Sequence, residues 1–150
     1  MYEVVMIANW DEKYETKISE IDSQHKKLFR LINQIEIIYD ENRDHLSNKS
    51  KSLVDAVSEL EDYTISHFLI EERVMELNQY PDLEAHKKQH DRFTDKILEL
   101  KKRLTSGTLL TNDIELNQFF SELIGFLRLW LTNHILQEDM NYKPYIKLDL

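Results

Sequence analysis

The sequence contains no cysteine, and it has only two glycines and two prolines among its 150 residues. Without cysteine the chain can form neither disulfide bonds nor thiolate metal sites, so any bound metal ion must be held by histidine or carboxylate groups. The scarcity of glycine and proline, together with abundant Leu, Ile, Glu, Lys and Gln, favours long helices over a turn-rich β fold. We therefore predict an all-α protein.

Basic charge and long apolar runs are also scarce. The chain has 19 basic and 28 acidic residues, a formal charge of −9, which opposes binding to nucleic acid or to anionic membranes. No stretch approaches the ~20 apolar residues of a membrane span. The apolar run near the amino terminus is far shorter than the core of a signal peptide. We expect a cytoplasmic protein with neither nucleic acid nor membrane as a partner.

The stretch from residue 67 to residue 90 organises the chain, because it carries three of the six histidines and a carboxylate at helical spacing. His67 and Glu71 are four residues apart, so they share one face of a helix. The same spacing relates His86 to His90. Between the two pairs stands Pro81, and a proline disfavours helix in the residue before it. We expect the chain to turn there, so that the two metal-capable faces belong to antiparallel neighbours.

Four segments carry apolar residues or histidines at alternating steps of four and three, which is the pattern of one helical face. A capping signature, Ser19 followed by Asp22, marks the start of the first segment. Loops connect the segments, and Pro81 lies in one of them. The predicted helices span about 19–40, 50–79, 82–105 and 112–138.

Short connections between these helices predict an up-down-up-down antiparallel four-helix bundle. An extended arm over residues 1–18 precedes it, and we expect Trp10 and Tyr14 of this arm to pack against the bundle. The length of 150 residues fits a single domain that covers the whole chain.

Five histidines are expected at one end of this bundle, because alternate helices run in opposite directions. Five buried imidazoles at one level would each need a partner, since unpaired buried polar groups are costly. A metal site satisfies so many nitrogens more economically than hydrogen bonds do. The five are His25 early in the first helix, His67 late in the second, His86 and His90 early in the third, and His134 late in the fourth.

The number of candidate ligands indicates two metal ions rather than one. Five imidazoles supply one bond each, and two carboxylates that bridge both ions supply two bonds each. A solvent-derived oxygen shared by both ions counts twice, which leaves two octahedral ions one ligand short. Such a vacant position suits reversible binding of a small molecule better than a purely structural ion does.

Several segments together resemble the hemerythrins, and specifically their bacterial single-domain members. The resemblance covers about residues 10–145, and its combination of motifs is specific, whereas H-x-x-x-H alone is common on helices by chance. It rests on Trp10, on I-D-S-Q-H-K-K-L-F around His25, on H-F-L-I-E-E from His67 with the following Y-P, on H-K-K-Q-H from His86, on W-L-T-N-H-I-L-Q-E-D ending at Asp139, and on Tyr142.

The resemblance implies a centre of two non-haem iron ions with a bridging oxo or hydroxo group. Dioxygen would bind at the open position of the iron that has only two histidines, where nitric oxide or a small anion such as azide would also fit. The implied ligands are His86, His90 and His134 for one ion, His25 and His67 for the other, and Glu71 and Asp139 for both. An apolar pocket would limit access of water and protons, and its implied residues are Leu28, Phe68, Trp130, Leu131 and Tyr142.

Helix geometry and the resemblance disagree on one ligand. Glu138 follows His134 by four residues and would share its face on a regular helix. Asp139 follows by five residues and would be rotated by about 140° from that face. The resemblance takes Asp139, and this choice predicts that the fourth helix is distorted or ends there.

The residues around the ligands lead to three further expectations. Glu72, one residue beyond Glu71, should face away from the site as a solvated charge. Gln24 and Asp22 are candidates for orienting a ligand imidazole. Lys17 stands near the position where hemerythrins often have a glycine before the first helix, which leaves the path of the arm open.

The function implied by the resemblance is reversible dioxygen binding for storage, transport or supply, without an enzymatic role beyond minor oxidase or peroxidase activity. One alternative is a di-iron enzyme, such as an oxidase, a peroxidase or a nitric oxide reductase. Against it, the sequence contains no Glu-x-x-His pair of the kind used by ferritin-like di-iron proteins. Another alternative is a sensor of oxygen, redox state or nitric oxide that uses the same vacant iron position.

Overall fold

Four long helices form the body of the protein in a computed structural model that describes residues 10–106 and 109–147. Each helix packs against its neighbours in the order α1, α2, α3, α4, and α4 returns to α1. No strand occurs in these residues, and the predicted antiparallel four-helix bundle is confirmed. The helices α1 to α4 span Ser19–Glu41, Ser50–Leu77, Leu83–Thr105 and Asp113–Asn133.

The fourth helical rod continues beyond α4 with a different winding. A π-helical segment, His134–Asp139, follows directly, and one more α-helical turn, Met140–Tyr142, completes the rod. None of the described helices combines the length and the apolarity that crossing a bilayer requires.

The arm packs against α1 through aromatic rings, as predicted. Trp10 and Tyr14 lie with their ring centroids 6.1 and 5.1 Å from that of Phe29, and Tyr14 is buried. A short 3-10 turn, Glu12–Tyr14, brings the two rings to the bundle. Residues 1–9 of the predicted arm lie outside the described residues.

Asp22 fixes the bend by which the arm enters α1. Its Oδ1 accepts hydrogen bonds from the backbone N–H and the hydroxyl of Thr16, at 2.8 and 2.7 Å, and its Oδ2 accepts one from the N–H of Lys17 at 3.1 Å. Lys17 has a φ of 65°, in the left-handed region that favours glycine. The prediction that Asp22 orients a ligand imidazole is wrong, because both of its oxygens bind the arm.

We expect Asp22→Asn to lower the free energy of unfolding by about 1–3 kcal/mol, because the amide NH2 would replace one of the two acceptor oxygens and leave at least one of the three donors of the arm without an acceptor. Urea unfolding followed by circular dichroism measures this loss. Glu20→Gln is the matched control, since Glu20 is exposed on the same helical turn and surface changes cost less than about 0.5 kcal/mol. Equal stabilities of the two variants would contradict this role of Asp22.

The turn between α2 and α3 brings their metal-capable faces together. The N–H of Tyr80 donates to the carbonyl of Met75 at 3.0 Å, and the N–H of Gln79 donates to that of Glu76 at 3.1 Å. This pair of bonds forms the Schellman motif that closes many helices, and Gln79 takes the left-handed position with a φ of 54°. Pro81 follows, and the predicted turn is confirmed.

Candidate metal centre

Seven potential ligands meet at one end of the bundle, and all of them are buried. They come from all four helical rods, because the antiparallel arrangement places the start of α1 and α3 beside the end of α2 and of the fourth rod. The structure thus brings together every residue that the sequence predicts as a ligand. They are His25, His67, Glu71, His86, His90, His134 and Asp139.

The seven side chains fall into two groups that share a carboxylate. Within each group the potential ligand atoms lie within 4.8 Å of one another. Because Glu71 belongs to both groups, the arrangement has room for two ions with a common ligand. One group consists of Glu71, His86, His90, His134 and Asp139, and the other of His25, His67 and Glu71.

Glu71 directs one oxygen at each group of histidines. Its Oε1 lies 3.0 Å from Nε2 of His86 and 3.0 Å from Nε2 of His90. Its Oε2 lies 3.3 Å from Nε2 of His67 and 3.4 Å from Nε2 of His25. A carboxylate divided in this way is placed to bridge two cations.

The two oxygens of Asp139 are likewise directed at different histidines. Its Oδ1 lies 3.1 Å from Nε2 of His86 and 3.0 Å from Nε2 of His134, whereas its Oδ2 lies 3.1 Å from Nε2 of His25. Three histidines therefore surround one end of the carboxylate pair and two histidines surround the other end.

The π-helical winding of His134–Asp139 places Asp139 in the site. In a π-helix the hydrogen bonds join residues five apart, so the residue five positions after His134 returns to the same face. The predicted distortion of the fourth helix at Asp139 is confirmed. Glu138, which regular helix geometry favours, instead lines a surface cavity of about 320 Å³.

The contacts within the cluster suit a cation better than hydrogen bonds. The Nε2 atoms of His90 and His134 lie 3.2 Å apart. Because Nδ1 of each ring faces an acceptor oxygen, both Nε2 atoms are acceptors when the rings are neutral, and two acceptors do not bond to each other. Both ring nitrogens of His25 and both oxygens of Asp139 are buried without a well-directed hydrogen bond. Buried polar atoms are normally paired, so the convergence of these lone pairs on shared space fits a metal site.

The charge distribution leads to the same conclusion. Burial raises the pKa values of Glu71 and Asp139, but the surrounding histidines offset this effect and hold both pKa values well below their usual range. Burial lowers the pKa values of His25 and His86, but the two carboxylates more than offset it and raise them to about 9 and about 10. The buried carboxylates thus need positive charge beside them, and a divalent cation would supply it in place of protons.

Three side chains outside the cluster accept hydrogen bonds from Nδ1 atoms of its imidazoles. We call Nδ1 the outer nitrogen, because in these rings Nε2 faces the carboxylates. Gln24 Oε1 lies 2.7 Å from Nδ1 of His67, as predicted for Gln24. Gln89 Oε1 lies 3.1 Å from Nδ1 of His134. The sequence offers no signal for Gln89, because 45 residues separate the pair and only the packing of α3 against the fourth rod brings them together.

Glu72 is the third of these side chains, and its predicted role as a solvated charge is wrong. Its Oε2 lies 2.8 Å from Nδ1 of His90. The periodicity of α2 places Glu72 on a different face from Glu71. It does not show that His90 of α3 lies with its Nδ1 against the face that carries Glu72.

Of the five residues predicted to line an apolar pocket, Phe68, Trp130 and Tyr142 contact residues of the cluster. Leu28, Phe68 and Leu131 are buried, and Phe68 stacks on His90 with ring centroids 3.8 Å apart. Trp130 is half-buried and stacks on the outer side of His134, where it lines the surface cavity.

Tyr142, the remaining predicted pocket residue, is fully buried beside the cluster. Its hydroxyl donates to Glu71 Oε2 at 3.0 Å. Burial and the neighbouring carboxylates raise its pKa well above the ordinary value, so the phenol keeps its proton.

A four-helix bundle that buries five histidines around two divided carboxylates is a helical metal-binding domain. The family model described as the hemerythrin HHE cation binding domain matches residues 16–146. The chain belongs to the hemerythrin family.

The relatives found are similar along most of their length. The bacteriohemerythrin of Pseudomonas paraeruginosa is 34% identical over 138 residues, which cover 92% of this chain and 80% of that protein. The hemerythrin-like protein of Naegleria gruberi is 34% identical over 135 residues, 90% of each chain. The crystal structure of a wild-type hemerythrin superposes with a TM-score of 0.75 at 27% identity, covering 94% of this chain and 98% of that one.

Proposed function

We propose that this protein holds two non-haem iron ions and binds dioxygen reversibly, for oxygen storage, transport or supply. The observation that carries the proposal is the division of Glu71 and Asp139 between three histidines on one side and two on the other. His86, His90 and His134 would hold one ion, His25 and His67 the other, and both carboxylates would bridge them. Membership of a cation-binding family supports the same assignment.

The unequal number of histidines accounts for ligand binding. With a solvent-derived bridge, an ion on the three-histidine side would have six ligands, whereas an ion beside His25 and His67 would have five, since the protein groups that could hold them number three histidines and two histidines beside the two carboxylates. When bound, the iron pair supplies the electrons for dioxygen binding at the position left open, to which nitric oxide or a small anion such as azide also has access.

The residues of the chain keep this position dry and poor in protons. Phe68 is buried and lies beside His67, with the ring centroids 5.9 Å apart, and Leu28 and Leu131 belong to the same apolar core as Phe68. Tyr142 keeps its proton and directs it to Glu71, away from free solvent. A site that excludes water and mobile protons favours release of the ligand unchanged over its reduction, which supports a carrier rather than an enzyme.

Metal analysis and anaerobic spectroscopy test the proposal. We expect two irons per chain, and a visible absorption band that appears when the reduced protein meets air and disappears on deoxygenation. His67→Ala should lose the band and bind less iron. His45→Ala is the matched control, because His45 is exposed and lies outside the cluster.

The outcomes separate the alternatives. Rapid irreversible oxidation in air with release of peroxide would overturn the carrier function in favour of an enzyme or a redox sensor. Binding of a single ion, or equal iron content in the two histidine variants, would overturn the proposed centre.

A further inference from the structure

The cluster contains one imidazole whose outer nitrogen contacts a carboxylate, and that imidazole belongs to His90. Glu72 Oε2 lies 2.8 Å from its Nδ1. The corresponding contacts of His67 and His134 are made by neutral amide oxygens, from Gln24 and Gln89. Among the described residues, Nδ1 of His25 and Nδ1 of His86 have no hydrogen-bond partner. The outer contacts of the two groups of histidines are therefore unequal in charge.

Three residues of helix α2 contact the imidazole of His90. Consecutive residues contact its two nitrogens, since Glu71 Oε1 lies 3.0 Å from Nε2 and Glu72 Oε2 lies 2.8 Å from Nδ1. Phe68, one turn earlier, lies almost parallel to the imidazole with an interplanar angle of 5°. The side chain of Glu72 is only 19% exposed, so solvent screens its charge weakly.

A carboxylate acceptor changes the imidazole more than an amide oxygen does. A hydrogen bond from Nδ1–H to a charged acceptor is stronger than one to a neutral acceptor, and it shifts electron density towards Nε2. A metal-bound histidine held in this way becomes a more basic ligand. A more basic ligand stabilises the higher charge of an oxidised ion more than the lower charge of a reduced one.

We propose that Glu72 is a positioning residue that lowers the reduction potential of the centre by acting through His90. The inference rests on the proposed function, because it concerns the ion held by His86, His90 and His134. A lower potential makes the electrons of that ion more available to the bound ligand. Gln24 and Gln89, by contrast, orient their histidines without adding charge.

Glu72→Gln tests this role, because glutamine keeps an acceptor oxygen of the same reach and removes the charge. We expect the equilibrium between oxidised and reduced centre to shift about tenfold towards the reduced form, which is the lower end of the roughly 10–100-fold effects that such partners have on metal affinity. That change corresponds to a midpoint potential about 59 mV higher for a one-electron couple. An anaerobic redox titration measures it, and the exchangeable Nδ1–H proton resonance of His90 should move upfield as its hydrogen bond weakens.

Two further variants give the experiment its controls. Glu76→Gln removes the same charge one turn farther along α2, where the side chain is exposed, and it should leave the potential almost unchanged. Gln89→Glu gives His134 the carboxylate that His90 already has, and it should shift the equilibrium about tenfold towards the oxidised form. Should Glu72→Gln fail to take up iron, the opposite shift in Gln89→Glu decides the question.

Three results would overturn the inference: an unchanged potential in Glu72→Gln, equal shifts in Glu72→Gln and Glu76→Gln, or no downward shift in Gln89→Glu. A wild-type protein that does not bind two irons would instead show that the proposed function is wrong. Iron content is therefore measured on every sample before the titration, so that the two failures are distinguished.

Discussion

Asp139→Ala is expected to lose most of its iron, whereas Glu138→Ala is expected to keep it. Asp139 contacts histidines of both groups within 3.1 Å, so its removal takes a ligand from each ion at once. Loss of an outer-shell partner alone typically costs about 10–100-fold in metal affinity, and loss of a shared ligand should cost more. Glu138 lines the surface cavity instead, and its removal leaves the cluster complete.

Iron content after reconstitution, followed by competition with a chelator, measures this difference. Circular dichroism of both variants shows whether the bundle is intact, which separates loss of a ligand from loss of the fold. Equal iron affinity in the two variants, or a larger loss in Glu138→Ala, would refute the assignment of Asp139 as a bridging ligand.

Phe120→Ala should lower the free energy of unfolding by about 3–5 kcal/mol, the usual cost of emptying a buried aromatic site. Phe120 is fully buried in the apolar core. It precedes His134 by roughly 21 Å of helix at about 1.5 Å per residue. The cavity should therefore weaken the bundle without moving the ligands, and the variant should still bind two irons per chain under native conditions.

Urea unfolding of the metal-free proteins gives this value, because bound metal would add its own stabilisation of the native state. Phe126→Ala is the matched control, since Phe126 lies on the same helix but is only half-buried beside the surface cavity. Its loss should be clearly smaller. A loss in Phe126→Ala that equals that in Phe120→Ala would show that the core is not centred where the structure places it.

Much of the fold follows from local patterns in the sequence. The apolar and histidine spacing of α1, α2 and α3 predicts their bounds to within one or two residues, because a helix that buries one face must repeat that face with the helical period. Short connections then require antiparallel neighbours. The common level of His25, His67, His86, His90 and His134 follows from this alternation.

The side chains that contact the imidazoles from outside the cluster could not all be predicted from local sequence patterns. Asp22 and Gln24 are near neighbours in sequence, yet Asp22 binds the arm and Gln24 contacts His67. Glu72 looks like a solvated charge on its own helix, but it contacts His90 across the interface with α3. These contacts depend on the distance and the relative rotation of neighbouring helices. The periodicity of a single helix gives no information about either quantity.

The sequence by itself determined the helical class, the order and approximate bounds of the rods, and the five histidines and Glu71 that can reach a common interior, because these depend on residue type and spacing. Spacing alone favoured Glu138 over Asp139, and Asp139 was predicted only from the resemblance to the hemerythrins. Only the tertiary structure decided how the oxygens of Glu71 and Asp139 divide between the histidines and which polar groups contact the imidazoles from outside. It also showed that a π-helical segment carries Asp139 into the cluster. The physical reason is that hydrogen-bonding and ligand distances depend on shifts of an ångström between rods, which arise from packing of all four together.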